Sequence, residues 1–255
     1  MVNTTPSHDV NLEYYGSYSP GRDDYWRKMA APRLRVRTIL RLLAERRPER
    51  MCDLGCGNGV LLREIADRFP TARLAGIDLS ETQTLLNRSR FPGAQWYAAD
   101  LGVEGALPAE LLGSQDTLTA SEIIEHVADP LQFLRNALAL AVPGRGRLLL
   151  STQSGPVRET ERRVGHLRHF TTAEMESLLR SGGWKPIRVW NCGFPFHDLS
   201  KWWANRDPEA TMQRFSGASY GTYENLICRA LRFAFLFNSR SRGAQLFAVA
   251  ERPGG

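Results

Sequence analysis

From Met51 to Val60 the chain reads MCDLGCGNGV, a short apolar run closed by an acid and by glycines at 55, 57 and 59. Glycines at such a strand-to-helix turn can take positive φ and let a ligand approach the backbone closely. A dinucleotide fingerprint, GxGxxG, would need Gly or Ala at position 60, where Val60 stands. Asp53 would also repel a pyrophosphate placed at the following helix N-terminus. Two more acids end predicted strands, Asp78 in GIDLS and Asp100 in AADL. The first is placed to accept hydrogen bonds from both hydroxyls of a ribose, the second to accept one from an adenine amino group. Asp53, Gly55, Cys56, Gly57, Gly59, Asp78, Leu79, Asp100 and Leu101 are therefore expected to line one nucleoside site. That site is acidic and phosphate-free, so it suits a ligand carrying positive charge, and S-adenosylmethionine, with its sulfonium and ammonium groups, fits.

A second group of reactive side chains follows the fourth predicted strand, in Ser-Glu-Ile-Ile-Glu-His-Val from Ser121 to Val127. If this turn is helical, Glu122, Glu125 and His126 share one face at i, i+3 and i+4. His166 and His169, in GHLRHF, are expected at the same end of the sheet. Two carboxylates and two imidazoles (Glu122, Glu125, His126, His166) could hold Mg²⁺, Mn²⁺, Fe²⁺ or Zn²⁺. In the alternative, Glu122 braces the methionine end of the cofactor, Glu125 is solvated or paired, and His126 is a general base. The metal is the less favoured of the two readings. Methyl transfer from a sulfonium is an in-line displacement that depends on alignment and desolvation. An alcohol acceptor must also lose a proton, and a histidine can take it. His126, with His169 or His166 as second choice and Glu125 nearby, thus favours an oxygen acceptor, with nitrogen as the alternative. His197 falls in a loop, FPFHD, that either lines the acceptor pocket or is a packed turn.

Placing these groups together requires an alternating strand–helix chain. Strands are predicted over 51–54, 73–79, 94–99, 117–120, 147–152, 185–190 and 245–251. Helical patterns fall at 60–69, 81–90, 130–141 and 171–181, the last with Thr171 or Thr172 as N-cap and Glu174 in the first turn. Such alternation implies an α/β fold with a doubly wound, mostly parallel sheet covered by helices on both faces. Two segments lie outside it. Residues 1–48 form an N-terminal arm and lid with an aromatic cluster, whose Tyr14, Tyr15 and Tyr18 would cover the cofactor and attract its sulfonium by cation–π contact. Residues 193–243 are an aromatic, helical cap inserted before the last strand. The core is then 49–192 with 244–255.

DLGCGNG, GIDLS, AADL and VPGRGRLLLST, in that order, resemble the motifs of the class I S-adenosylmethionine-dependent methyltransferases, and QLFAVAERP resembles that family's closing antiparallel strand. The resemblance covers roughly residues 50 to 190 and implies a Rossmann-like sheet of about seven strands. Glu-x-x-Glu-His-Val is similar to the ubiquinone-pathway O-methyltransferases, and also to the small-RNA 3′-end 2′-O-methyltransferases, in which the constellation holds a metal. A non-catalytic cofactor-binding subunit is the reading from another class, and the intact glycines and Asp78 speak against it.

Composition sets the partners. The chain has 255 residues, 42% hydrophobic and 24% charged, with formal charge +6. Such a composition excludes a disordered or fibrous chain. Residues 22–50 carry ten Lys or Arg against four Asp or Glu. An anionic acceptor or RNA could use the stripe Arg33, Arg37, Arg41, but a solvated helix face explains it more simply. No RNA-binding module is visible. The acceptor is therefore expected to be a small or glycan-like molecule, with an anionic one as the alternative, and not a nucleic acid. None of the four cysteines forms a CxxC pair, and no apolar signal or spanning segment is seen. The expectation is a reduced, cytoplasmic monomer or homodimer without stable membrane insertion. The helix 224–237 places Leu226, Ala230, Phe233 and Phe237 on one face, expected to pack in a core or dimer.

Overall fold

The computed structural model describes residues 23–215 and 219–254. Two helices, α1 (Asp23–Lys28) and α2 (Ala30–Glu45), lead into β1 (Arg50–Leu54), α3 (Val60–Arg68), β2 (Arg73–Asp78), α4 (Glu81–Arg90) and β3 (Ala94–Ala98). Then come β4 (Thr117–Ser121), α5 (Pro130–Leu140), β5 (Arg147–Gln153), α6 (Glu159–Arg163), α7 (Thr172–Ser181) and β6 (Lys185–Cys192). The inserted segment carries α8 (Phe196–Ala204), α9 (Pro208–Phe215) and α10 (Thr222–Ala234), and β7 (Gln245–Glu251) closes the sheet.

The seven strands lie in the order β3-β2-β1-β4-β5-β7-β6. β7 runs antiparallel to both β5 and β6, and the other pairings are parallel. Because successive strand residues point to opposite faces, β1 sends Cys52 and Leu54 to one core and Met51 to the other. β5 likewise divides Leu148 and Leu150 from Leu149. The first core is closed by Phe133, Leu134 and Ala137 of α5 and Met175 and Leu179 of α7. The second is closed by Ile39, Leu42 and Leu43 of α2 and Leu62 and Ile65 of α3. This is the expected doubly wound α/β fold with helices on both faces.

Local signals set several boundaries. Asp129 caps α5 by accepting from the amides of Leu131 (3.0 Å) and Gln132 (2.9 Å), with Pro130 at the first turn, where its missing N–H is harmless. Thr171 caps α7 in a reciprocal box with Glu174, as expected. At the turn after β1, Gly55 and Gly59 both sit at φ +70. A Cβ would lie 2.3 Å from Ile123 Cδ1 at Gly55 and 2.6 Å from Trp96 at Gly59. Both glycines are thus held by packing as well as by backbone conformation.

Candidate active site

β1, β2 and β4 end at the mouth of a cavity of about 810 Å³, whose far wall is made by α1, α2 and the inserted helices. The volume lies within the range of small-molecule and cofactor sites. Gly55, Cys56, Gly57, Asp53, Asp78, Leu79, Asp100 and Leu101 all line it. Gly59 stands just behind, packed under Trp96. A Cβ on Gly57 would meet no atom within 4 Å, so this glycine opens onto the cavity. Tyr14, Tyr15 and Tyr18 lie outside the described residues, and from the aromatic cluster Tyr25 and Trp26 line the cavity.

Asp78 is oriented by backbone. Its Oδ2 accepts from Gly57 N (2.8 Å) and its Oδ1 from Ser80 N (3.0 Å). Burial raises its pKa, and those amide bonds oppose the rise. Each oxygen keeps a lone pair for a ribose hydroxyl, which is the geometry expected of a nucleoside site. Asp78→Asn replaces one acceptor by a donor. Its expected effect is about tenfold weaker S-adenosylhomocysteine binding, measured by calorimetry. Binding as tight as wild type would remove Asp78 from the site. Asp100 accepts from Gly102 N at 2.8 Å. Asp53 is 3% exposed, and Thr119 Oγ1 donates to its Oδ1 at 2.5 Å. Burial pushes its pKa up to about 7, and burial also raises that of the Cys56 thiol well above its usual value.

The segment after β4 differs from the expected helix. Glu122 has φ +56, a left-handed conformation that is uncommon outside glycine, and the chain then turns rather than coils. Glu122 and Glu125 consequently point to different places. Glu122 accepts from Gln153 Nε2 (2.7 Å) and Gln245 Nε2 (2.9 Å), with Arg35 Nη1 at 3.6 Å. Burial alone would raise its pKa, but Arg35 and the two amides hold it below the usual carboxylate range. Glu125 is fully buried. Its Oε2 accepts from Thr152 at 2.8 Å, and its Oε1 has no hydrogen-bond partner among the described residues. Burial and the nearby Glu122 raise its pKa, favouring the protonated acid. Glu122 lies in the cavity wall with Arg35; Glu125 lies beneath it.

The three histidines do come together. The rings of His126 and His166 cross at 4.6 Å between centroids, and those of His166 and His169 at 5.2 Å. His126 and His166 line the cavity, whereas His169 stands behind them. His169 Nδ1 is 3.0 Å from the Gly155 carbonyl, which can only accept, so Nδ1 carries the proton. Neutral His169 then offers the lone pair of Nε2 to His166 Nδ1, 3.0 Å away, which must donate. That leaves the lone pair of His166 on Nε2. Burial pushes the pKa of His166 down to about 2 and that of His126 to about 4, and it lowers that of His169 as well. At neutral pH all three rings are therefore uncharged.

Other wall residues carry no motif. Arg35, 4% exposed, reaches the site from α2, and Lys201 from α8 bonds Gln153 Oε1 (2.7 Å) and Glu161 (3.1 Å). His197 is 1% exposed and also lines the cavity, 3.5 Å from Asp198. Only the arginine-rich helix signalled Arg35, and its expected stripe was a different one. Arg33 of that stripe pairs with Glu64, while Arg37 and Arg41 are exposed.

Comparison with known proteins agrees with this fold. A family model described as a methyltransferase domain matches residues 25–222. Among curated relatives, a ubiquinone biosynthesis O-methyltransferase of Bordetella parapertussis is 35% identical over 105 residues, 38% of this chain and 40% of that protein. A trans-aconitate 2-methyltransferase of Variovorax paradoxus is 34% identical over 95 residues, 37% of this chain and 35% of that one. The chain thus spans less than half the length of these relatives. Among solved structures, a Haemonchus contortus phosphoethanolamine N-methyltransferase bound to S-adenosylhomocysteine covers 99% of this chain and is covered over 61% of its own, at TM-score 0.64 and 14% identity. The N-methyltransferase NodS of Bradyrhizobium japonicum, also with S-adenosylhomocysteine, gives TM-score 0.59 at 17% identity, over 98% of this chain and 100% of that one. A sheet of this order, a glycine turn opening beside a backbone-held Asp78 and a family match over most of the chain lead to one conclusion: the chain belongs to the class I S-adenosylmethionine-dependent methyltransferases.

Proposed function

We propose that the enzyme methylates a hydroxyl of a small, largely uncharged molecule, with His166 or His126 taking the acceptor proton. The observation that carries this reading is the imidazole chain, which leaves a neutral His166 in the cavity wall with its basic nitrogen at Nε2. When bound, S-adenosylmethionine supplies an electrophilic methyl group on its sulfonium. The residues Asp53, Gly55, Cys56, Gly57, Gly59, Asp78, Leu79, Asp100 and Leu101 hold it, and Arg35 with Glu122 forms the wall toward the histidines.

The acceptor end is walled by Trp26, Trp203, Phe215, Ile227 and Leu231. The buried Arg35 and half-buried Lys201 of its wall already face Glu122 and Glu161, which favours a neutral acceptor over an anionic one. In this reading residues 193–243 are the acceptor cap and the N-terminal arm is the lid. The test is transfer of a labelled methyl group to a panel of phenols, sugar alcohols, hydrophobic secondary alcohols and matched amines. Methylated alcohols are expected; transfer confined to amines overturns the reading.

A second reading has its own observation. Ligand atoms of Glu125, His126 and His166 lie within 4.8 Å of one another, and Glu125 Oε1 is buried without a partner among the described residues. A divalent cation held by these three would lower the acceptor's pKa directly and keep Glu125 ionised. Glu122, turned toward Arg35, is not part of this group. Elemental analysis, with melting in Mg²⁺, Mn²⁺, Zn²⁺ and EDTA, separates the readings. A metal shift abolished in Glu125→Gln supports the second, and its absence the first.

A further inference from the structure

α10 is apolar on two sides. Ile227 and Leu231 face the cavity, while Leu226 and Phe233 point outward at 64% and 66% exposure, followed by Leu236 and Phe237 at 64% each. The face expected to pack in a core or a dimer is therefore left uncovered by the described residues of this chain. Beside it in the same cap, α8 exposes Trp202 at 49%, outside the cavity lining. Isolated exposed apolar residues are ordinary, but a clustered aromatic and aliphatic surface marks an interaction site.

Charge identifies the occupant. Residues 222–243 contain Arg229, Arg232, Arg240 and Arg242 against a single acid, Glu224, which lies 3.8 Å from Arg214. Arg229, Arg240 and Arg242 are exposed and Arg232 is half-buried. A second copy of the chain laid on this face would bring arginines against the same arginines. An anionic bilayer surface would meet the apolar stripe with acyl chains and the arginines with headgroups, with Trp202 at the boundary where an amphipathic indole ring is favoured. Among the described residues no helix is long and apolar enough to cross a membrane, so the contact is interfacial. We propose that the outer face of α10, with the exposed Trp202 of α8, docks the enzyme on anionic lipid membranes.

The test is co-sedimentation of the full chain with phosphatidylcholine vesicles, with and without phosphatidylglycerol. Binding to the mixed vesicles, weakened by salt and absent with phosphatidylcholine alone, is expected. Arg229→Ala with Arg232→Ala should weaken it by about 25-fold, roughly fivefold for each arginine. Phe233→Ser with Phe237→Ser should abolish it, while S-adenosylhomocysteine still raises the melting temperature of both variants and so shows them folded. Failure to bind, or equal binding by wild type and variants, overturns the proposal. So does a dimer in sedimentation velocity that the phenylalanine variant dissolves, because the face would then belong to a second copy.

Discussion

Replacing His166 by alanine is expected to lower kcat by about 10² to 10⁴, the usual contribution of a positioned general base, with little change in KM for the cofactor. The same loss is expected at His126 if its ring, rather than that of His166, takes the proton. The depressed pKa values, about 2 and about 4, do not argue against the role. Attack of a neutral hydroxyl on a sulfonium methyl produces a protonated ether, a far stronger acid than even these imidazolium ions. The base therefore needs an available lone pair more than a high pKa.

The pH profile follows with a definite sign. A histidine base works only when neutral, and a lowered pKa keeps it neutral down to acidic pH. The kcat profile should then be flat through the range near 6.5 in which an ordinary histidine titrates. An inflection there, lost in His166→Ala, would mean that the ring is solvated in the working enzyme. His169→Ala removes the acceptor that fixes the proton on His166 Nδ1. It should lower kcat less than His166→Ala does. Replacement by Gln, whose amide oxygen can also accept from Nδ1, should restore part of the rate. Equal losses for the alanine and glutamine variants would reduce His169 to a packing role.

The alternation of strands and helices was legible because each element carries its own period and its own stop. The DLGCGNG turn was legible because its glycines and acids act locally. Asp78 follows directly from the end of β2, and its partner, the Gly57 amide, lies in the loop beside that strand's end. The group after β4 was legible only in composition. Spacing suggested one helical face for Glu122, Glu125 and His126, but the left-handed Glu122 separates the carboxylates. That conformation is sustained by Gln153, Gln245 and Arg35, which come from three distant parts of the chain. Arg35 and Lys201 were missed for the same reason: a salt bridge between remote elements leaves no periodic trace. The outer face of α10 shows the complementary failure, since an apolar stripe at helical spacing does not say whether anything covers it.

Asp53 gives the other large effect. A buried carboxyl whose pKa rises from 3.8 to about 7 binds a proton in the folded chain that the unfolded chain has already released. Between those pH values the native state holds more protons, so stability of the ligand-free enzyme falls as pH rises. The fall is about 4 kcal/mol across the window and levels off above pH 7. Asp53→Asn should flatten this slope, melting higher than wild type at pH 8 and close to it at pH 4. Asp78 contributes to the raised value through like charge, so the substitution also lets Asp78 ionise more easily.

A ligand bearing positive charge opposes this fall in the wild type. It stabilises the ionised Asp53, and binding near pH 6 should expel a proton, visible as a dependence of calorimetric heat on the ionisation enthalpy of the buffer. The variant should expel none from this position and should bind the cofactor at least about tenfold more weakly. A wild-type enzyme whose melting is insensitive to pH between 4 and 7, and whose cofactor binding moves no proton, would place Asp53 in a far more polar setting than its 3% exposure and single side-chain donor indicate. The carboxyl that costs the empty fold stability as pH rises is then the one whose charge favours a positively charged cofactor, so the same burial that weakens the ligand-free chain strengthens the pull on the ligand.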